Sequence, residues 1–244
     1  MRWGSTAWLL ALAPLAMLGA CQQGASETGR AAGAQGFPVA DRPASMISGD
    51  DNYTEASRDH LNEATKVMNL ADIRPGMTVA DIGAGAGYYT VRLAPRVGKK
   101  GRVLAEDIDG PALTRLGDRV QRERLDNVSI EQGDEIDAHL PPASFDRIFM
   151  IHMYHEVGEP YAFLWHIRPA LRPHGRVIVV DVDRPISEHG IPPRQLFCEF
   201  AAVGFRLTEF IRKPELTGYY AQFEAAGDRP APAAIRPCHT QVRV

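Results

Sequence analysis

The segment Val79-Ala80-Asp81-Ile82-Gly83-Ala84-Gly85-Ala86-Gly87-Tyr88-Tyr89-Thr90 limits what this chain can become more than any other stretch. A short apolar, β-branched run reads as a buried strand, and glycines then alternate until a helical pattern begins. Glycine supplies the positive φ such a turn needs and lets backbone approach a ligand with no Cβ in the way. The free N–H groups opening the next helix add a weakly positive pocket. Such a strand–turn–helix unit belongs to a parallel α/β sheet, whose ligands bind beyond the carboxyl ends of the strands. The dinucleotide form of the turn, GxGxxG, wants a small sixth residue for close helix packing. Counted from Gly83 that residue is Tyr88, and Asp81 ahead of the glycines would repel a pyrophosphate while welcoming a cationic amino-acid moiety. A nicotinamide-dependent oxidoreductase is therefore disfavoured.

The same alternation of strand and helix patterns runs on through the chain. Leu61, Ala64, Val67 and Met68 form a helical stripe within 57–70, ahead of the strand 78–82. A helix over 89–97, shortened by Pro95, leads to a strand over 102–108. Pro111 opens a helix that runs to Arg124, and strands follow over 128–132 and 145–151. The second of these is almost continuously apolar, as a strand covered on both faces would be. A helix over 161–171 and a strand over 176–182 precede a helix over 195–203, which Gly204 caps. Two closing strands, 206–210 and 219–223, lie near enough in sequence to be antiparallel neighbours. The spacing predicts one domain over 44–227 with no internal repeat.

Several acids fall at the predicted strand ends. Glu106-Asp107-Ile108-Asp109 closes the second strand and Gly133-Asp134-Glu135 the third, while Phe145-Asp146-Arg147-Ile148 opens the fourth. Leu171-Arg172-Pro173-His174-Gly175 leads into the fifth. With the Asp81 glycine turn, this order resembles the class I S-adenosylmethionine (SAM)-dependent methyltransferases, most of all the ubiquinone-biosynthesis-type branch and its exported relatives. The resemblance covers about 57 to 224 and implies a Rossmann-like fold: a mainly parallel seven-stranded sheet, helices on both faces and an antiparallel C-terminal strand. It implies SAM as cofactor, with Asp107 accepting both ribose hydroxyls and Asp134 near the adenine amino group. Asp81, Gly83, Ala84, Gly85, Gly87, Tyr88, Ile108, Gly133 and Glu135 complete the expected cofactor set. Each acid alone has a plainer reading, Asp107 as a helix cap and Asp134 as a turn residue. His174 stands where the family carries a glycine and puts that turn's geometry in question.

The acceptor side is less legible. Methyl transfer needs chiefly proximity and alignment, with a base only where the nucleophile must lose a proton. His152 and His155, in His152-Met153-Tyr154-His155-Glu156, follow the fourth strand and are the candidate bases. A metal reading of these with His166 is weaker, because the order is not HExxH, so no metal is expected. Tyr88 and Tyr89 would either cover the cofactor's methionine end or pack in the core. Asp181, Asp183 and Arg184 would line the acceptor rim or be merely solvated.

Outside the domain the chain changes character. Arg2, the apolar run from Ala7 to Leu18 and Leu18-Gly19-Ala20-Cys21 resemble a bacterial lipoprotein signal, cut after residue 20 and acylated at Cys21. Gln22 rather than aspartate then implies an outer-membrane lipoprotein facing the periplasm, held to the membrane through Cys21. The plainer readings are an ordinary secretory signal or an uncleaved anchor, and a start at Met46 would give a cytosolic form. Residues 22–43 read as a flexible tether and 228–244, rich in Pro and Ala, as a loose tail. Cys198 and Cys238 could pair in an oxidising compartment. A net charge of -3 with no basic run argues against nucleic acid. A small-molecule acceptor is the expectation, although no residue separates a quinone from a lipid or a protein side chain as the group methylated. Because SAM is made in the cytosol, the alternative is a non-catalytic envelope lipoprotein that binds a nucleoside-like ligand. That Asp81, Asp107 and Asp134 are all present favours the enzyme. Oligomeric state has no signature in the sequence.

Overall fold

The structure, a computed structural model, describes Met1 and residues 30–46, 54–213 and 218–239. Cys21 and all of the signal segment except Met1 lie outside the described residues. Seven strands, β1 (Thr78–Ile82), β2 (Arg102–Asp107), β3 (Val128–Gln132), β4 (Phe145–Ile151), β5 (Leu171–Asp181), β6 (Phe205–Lys213) and β7 (Gly218–Ala225), form one sheet in the order β3-β2-β1-β4-β5-β7-β6. Strands β1 to β5 pair in parallel, and β7 runs antiparallel to both of its neighbours. Helices α1 (Glu55–His60), α2 (Glu63–Leu70), α3 (Thr90–Val97), α4 (Gly110–Glu123), α5 (Pro160–Ile167) and α6 (Pro193–Ala202) surround it. This is the Rossmann-like α/β architecture that the residue pattern implies.

Two cores follow from the two-residue period of a strand. On β4, Ile148 and Met150 join the cluster around α5 and α6, whereas Phe149 and Ile151 join the cluster around α2 and α3. On β5, Val177 and Val179 divide from Ile178 and Val180 in the same way. A strand buried on both faces needs apolar residues at every position, which is why 148–151 and 177–180 read as continuous apolar runs.

Local departures have local causes. The single helix expected over 57–70 is two, because Asn62 takes a left-handed φ of 53° and ends the first at His60. Helix α5 stops at Ile167 because Pro169 forces a 3-10 turn over Arg168–Ala170, and β5 starts directly after it. His174 adopts φ 65°, the left-handed conformation that the family's glycine would take. Gly204, at φ 81°, follows α6 as its C-terminal stop. Asp146 accepts from the Thr78 amide and the Arg172 guanidinium, both at 2.8 Å, so it ties β4 to β1 and β5 rather than serving a ligand.

The tether and tail are ordered where they are described. Arg30 pairs with Glu159, Phe37 packs against Trp165, and the buried Arg42 guanidinium meets the buried Glu199 carboxylate at 2.6 Å. From the other end, the Trp165 indole donates to the Pro230 carbonyl, Ile235 is buried, and the Cys238 amide donates to the Tyr161 hydroxyl. Cys198 on α6 and Cys238 form a disulfide. Asp41 and His239 meet in an isolated parallel bridge. The loose tether and tail expected from composition are thus corrected over 30–43 and 228–239: aromatic and apolar residues spaced among the glycines and prolines give each stretch something to bury. Among the described residues, no helix is long and apolar enough to cross a membrane.

Candidate functional site

Beyond the carboxyl ends of β1, β2 and β4 lies a cavity of about 590 Å³. Its floor is the glycine turn, where Gly83, Gly85 and Gly87 hold φ values of 65°, 54° and 89°. A Cβ on Gly83 would come 2.9 Å from the Met153 side chain, and one on Gly87 would run into Leu116. These two glycines therefore serve close packing as well as backbone conformation.

Asp81 closes β1 and is buried, its carboxylate accepting from the Thr90 hydroxyl at 2.6 Å. Burial pushes its pKa up to about 6, although the Thr90 hydrogen bond opposes the rise. Asp107, at the end of β2, accepts from the Gly85 amide at 2.8 Å and from the Asp109 amide at 2.9 Å. A carboxylate has about four lone-pair positions, so capacity for a ribose diol remains. Asp134 accepts from the Ile136 and Asp137 amides, each at 2.8 Å, and so holds its own turn while also lining the cavity. The plain turn reading of Asp134 and its wall position are both true.

Of the other expected cofactor residues, Gly83, Ala84, Gly85, Tyr88, Ile108 and Glu135 line the cavity, and Gly87 and Gly133 stand behind its wall. Tyr88 lies between the guanidiniums of Arg58 and Arg92, each 3.9 Å from its ring centroid, and donates to Asp59 at 3.0 Å. Tyr89 is buried and donates to Glu63.

Two further buried acids, not singled out by the residue pattern, stand at or behind the cavity wall. Glu106 precedes Asp107 in the same acidic run, yet it is buried on the cavity wall, and a Cβ on Gly133 would collide with its carboxylate. Burial, with the Asp107 charge adding to it, pushes the Glu106 carboxyl up to about 8 against the opposing pull of the Gly83 and Gly133 amides. Glu63, at the start of α2, is fully buried and joins Arg58 at 2.7 Å, the Tyr89 hydroxyl at 3.0 Å and His152 at 3.5 Å. Burial alone would raise its pKa, but His152 and Arg58 outweigh burial and hold it at about 2. No sequence spacing flags Glu63, because its partners come from three other segments.

The two candidate bases part company. His152 lines the cavity with an uncommon left-handed φ of 56°, its Nε2 3.5 Å from Glu63. His155 is buried behind the wall, with Nδ1 3.0 Å from both oxygens of the fully buried Asp181. Asp183 pairs with Arg212 and Arg184 reaches the Glu188 carbonyl, so neither lines the cavity. His166 contacts the Ile136 carbonyl from α5, away from the other histidines.

The methyltransferase domain family matches residues 73–208, more than half of the chain. Over 161 residues the chain is 27% identical to the ubiquinone/menaquinone biosynthesis C-methyltransferase UbiE of Shewanella sp. (strain ANA-3), covering 61% of this chain and 64% of that protein. The chain thus spans under two thirds of that relative's length. A SAM-dependent methyltransferase from Aquifex aeolicus superposes with a TM-score of 0.62 at 25% identity, covering 70% of this chain and 97% of the other. The [4+2]-cyclase SpnF shares the fold at TM-score 0.60 and 16% identity, over 80% of this chain and 90% of its own. A glycine floor without side chains, a ribose-competent carboxylate and a cavity of this size fit a nucleoside bearing an amino-acid arm. The chain belongs to the methyltransferase domain family, and its cofactor is S-adenosylmethionine.

Proposed function

We propose that this protein transfers the methyl group of SAM to a small-molecule acceptor within the 590 Å³ cavity. The observation that carries the reading is that one cavity holds both the Asp81–Asp107–Asp134 set and a separate wall of Ile151, His152, Met153, Val157 and Phe163. When bound, SAM would supply an electrophilic methyl group, which an acceptor approaching in line takes as S-adenosylhomocysteine leaves. The chain's own part is to align the acceptor, exclude water and receive a proton where the nucleophile bears one. Apolar Met153, Val157 and Phe163 give an uncharged, partly hydrophobic acceptor a surface to bury. His152 is the candidate base: both of its ring nitrogens are buried, with Nε2 3.5 Å from Glu63, so a small turn of the ring has to present Nδ1 to the acceptor. The Tyr89 and Arg58 bonds in turn hold the Glu63 carboxylate in place. A left-handed, non-glycine backbone at such a position is strain that function would retain.

We further propose export and anchoring through Cys21, with the domain facing the periplasm. The Cys198–Cys238 disulfide supports an oxidising compartment. Calorimetry of the full chain with SAM, S-adenosylhomocysteine and NAD tests the cofactor site: binding of the first two without NAD is expected, and no binding of either would sink the enzyme. Palmitate labelling that disappears in Cys21→Ser tests the anchor; labelling that survives the substitution would remove it.

A further inference from the structure

The His155–Asp181 pair, set behind the cavity wall, has no part in the proposed methyl transfer, and its surroundings give it another use. His155 and Glu156 share a 3-10 turn over Tyr154–Glu156, and His189 follows a second such turn over Ile186–Glu188. Ser45 joins the two turns: its amide donates to the His155 carbonyl at 3.2 Å and its hydroxyl to the Ile186 carbonyl. His155, Glu156 and His189 then each present one ligand atom within 4.8 Å of the others. The two imidazole centroids are 5.9 Å apart and nearly perpendicular. An ion about 2.0–2.1 Å from each nitrogen sits roughly 3.2 Å from each centroid, so two rings sharing one tetrahedral ion stand roughly 5.2 Å apart, a little closer than the 5.9 Å seen here. A tetrahedral ion holds its ligand atoms roughly 3.4 Å apart, so the half-buried Glu156 and His189 side chains have to close on His155 from spacings within 4.8 Å.

We infer that His155, Glu156 and His189 form a divalent transition-metal site of the two-histidine, one-carboxylate type, with Asp181 as the acid that positions His155. The pairing of His155 Nδ1 with a fully buried carboxylate is the second, independent observation. Nδ1 donates to Asp181, which fixes the tautomer and leaves Nε2 with a lone pair to give to an ion. Two nitrogens and one carboxylate leave a coordination position for water or for an acceptor oxygen, the arrangement of an open rather than a closed zinc site. Glu156 lines the cavity, so an ion held here stands at the wall of the acceptor space. This placement rests on the methyltransferase reading; the metal site itself does not. Sequence spacing hides it, because the third ligand arrives from the loop after β5 and HxxHE lacks the HExxH order.

The test is titration of the full chain with Zn²⁺ against a chromogenic chelator, followed by Co²⁺, whose visible d–d bands report coordination number. One equivalent of Zn²⁺ is expected, with Co²⁺ bands of four- or five-coordinate intensity. His189→Ala and Glu156→Gln should each weaken uptake at least tenfold, and Asp181→Asn by about 10–100-fold. S-adenosylhomocysteine affinity, measured on the same samples, should stay unchanged in His189→Ala, which also shows that the variant is folded. No stoichiometric uptake, or uptake equal in the wild type and in His189→Ala, overturns the site. If S-adenosylhomocysteine binds and Zn²⁺ does not, the metal site alone fails; if Zn²⁺ binds and S-adenosylhomocysteine does not, the methyltransferase reading alone fails.

Discussion

The proposed cofactor part of the cavity takes its acids from consecutive strand ends, Asp81 on β1, Asp107 on β2 and Asp134 just after β3. The rest of the wall takes Ser45 from the N-terminal strap, Arg58 from α1, His152 from the loop after β4 and Phe163 from α5. The first set is fixed by sheet register, since parallel pairing aligns Ile82 with Glu106 and Asp107 with Gln132, and so delivers strand ends to one edge. The second set depends on how separate segments pack. A parallel sheet can therefore keep a cofactor while the surface facing the acceptor changes piece by piece.

The largest effect that would sharpen this contrast is on turnover. His152→Ala should lower kcat by on the order of 100-fold or more while S-adenosylhomocysteine affinity stays within a few-fold. A loss of affinity without loss of kcat would move His152 to the cofactor set. Asp107→Ala should do the reverse, weakening S-adenosylhomocysteine by roughly 100-fold, about 3 kcal/mol, because charged acceptors of two hydroxyls are lost. Unchanged affinity by calorimetry would break the ribose assignment.

Removing the Cys198–Cys238 bond probes the N-terminal strap (30–46) and the C-terminal clasp (228–239) rather than the strand ends. Cys238→Ser should cost roughly 2–4 kcal/mol of stability in denaturant titration, given a sequence separation of 40. S-adenosylhomocysteine affinity should hold, because the clasp touches α5 and α6 and not the glycine turn. If affinity falls instead, the two regions are coupled.

Smaller effects come from pH. The ordinary carboxyl value of Glu106 is 4.5, and burial raises it to about 8 in the fold. A raised acid favours the fold while protonated in both states, so stability without ligand should decline as pH climbs from about 5 to 8. Glu106→Gln should flatten that slope in thermal melts across the same range; an unchanged slope would assign it to other groups. The smallest expected effect is at Asp81, whose value near 6 means that its carboxylate is lost as pH falls below 6. Affinity for the cationic arm of S-adenosylhomocysteine should drop several-fold from pH 7.5 to 5.5, and Asp81→Asn should remove that dependence.

Much of the candidate cofactor site was legible in residue order. Glycines at 83, 85 and 87 after a buried strand, with acids closing the next two strands, leave few other uses for such residues in a parallel sheet. Within Glu106-Asp107 the sequence does not say which acid is buried. That follows from the pleat, which sends neighbouring side chains to opposite faces, and from the Gly133 turn closing over one of them. Likewise, Ala-Gly and Pro-Ala composition marks 22–43 and 228–244 as loosely structured, but single apolar residues such as Phe37 and Ile235 find pockets that composition does not register.

By itself the sequence determined the strands, their mainly parallel α/β arrangement and the glycine turn, because each rests on local periodicity and on backbone conformations only glycine takes cheaply. The tertiary structure alone decided that His152 faces the cavity while His155 turns to Asp181, that Glu63 stands behind His152, and that His189 meets His155 and Glu156. Those relations join residues far apart in the chain, and only the packing of helices, strap and clasp onto the sheet sets the distances between them.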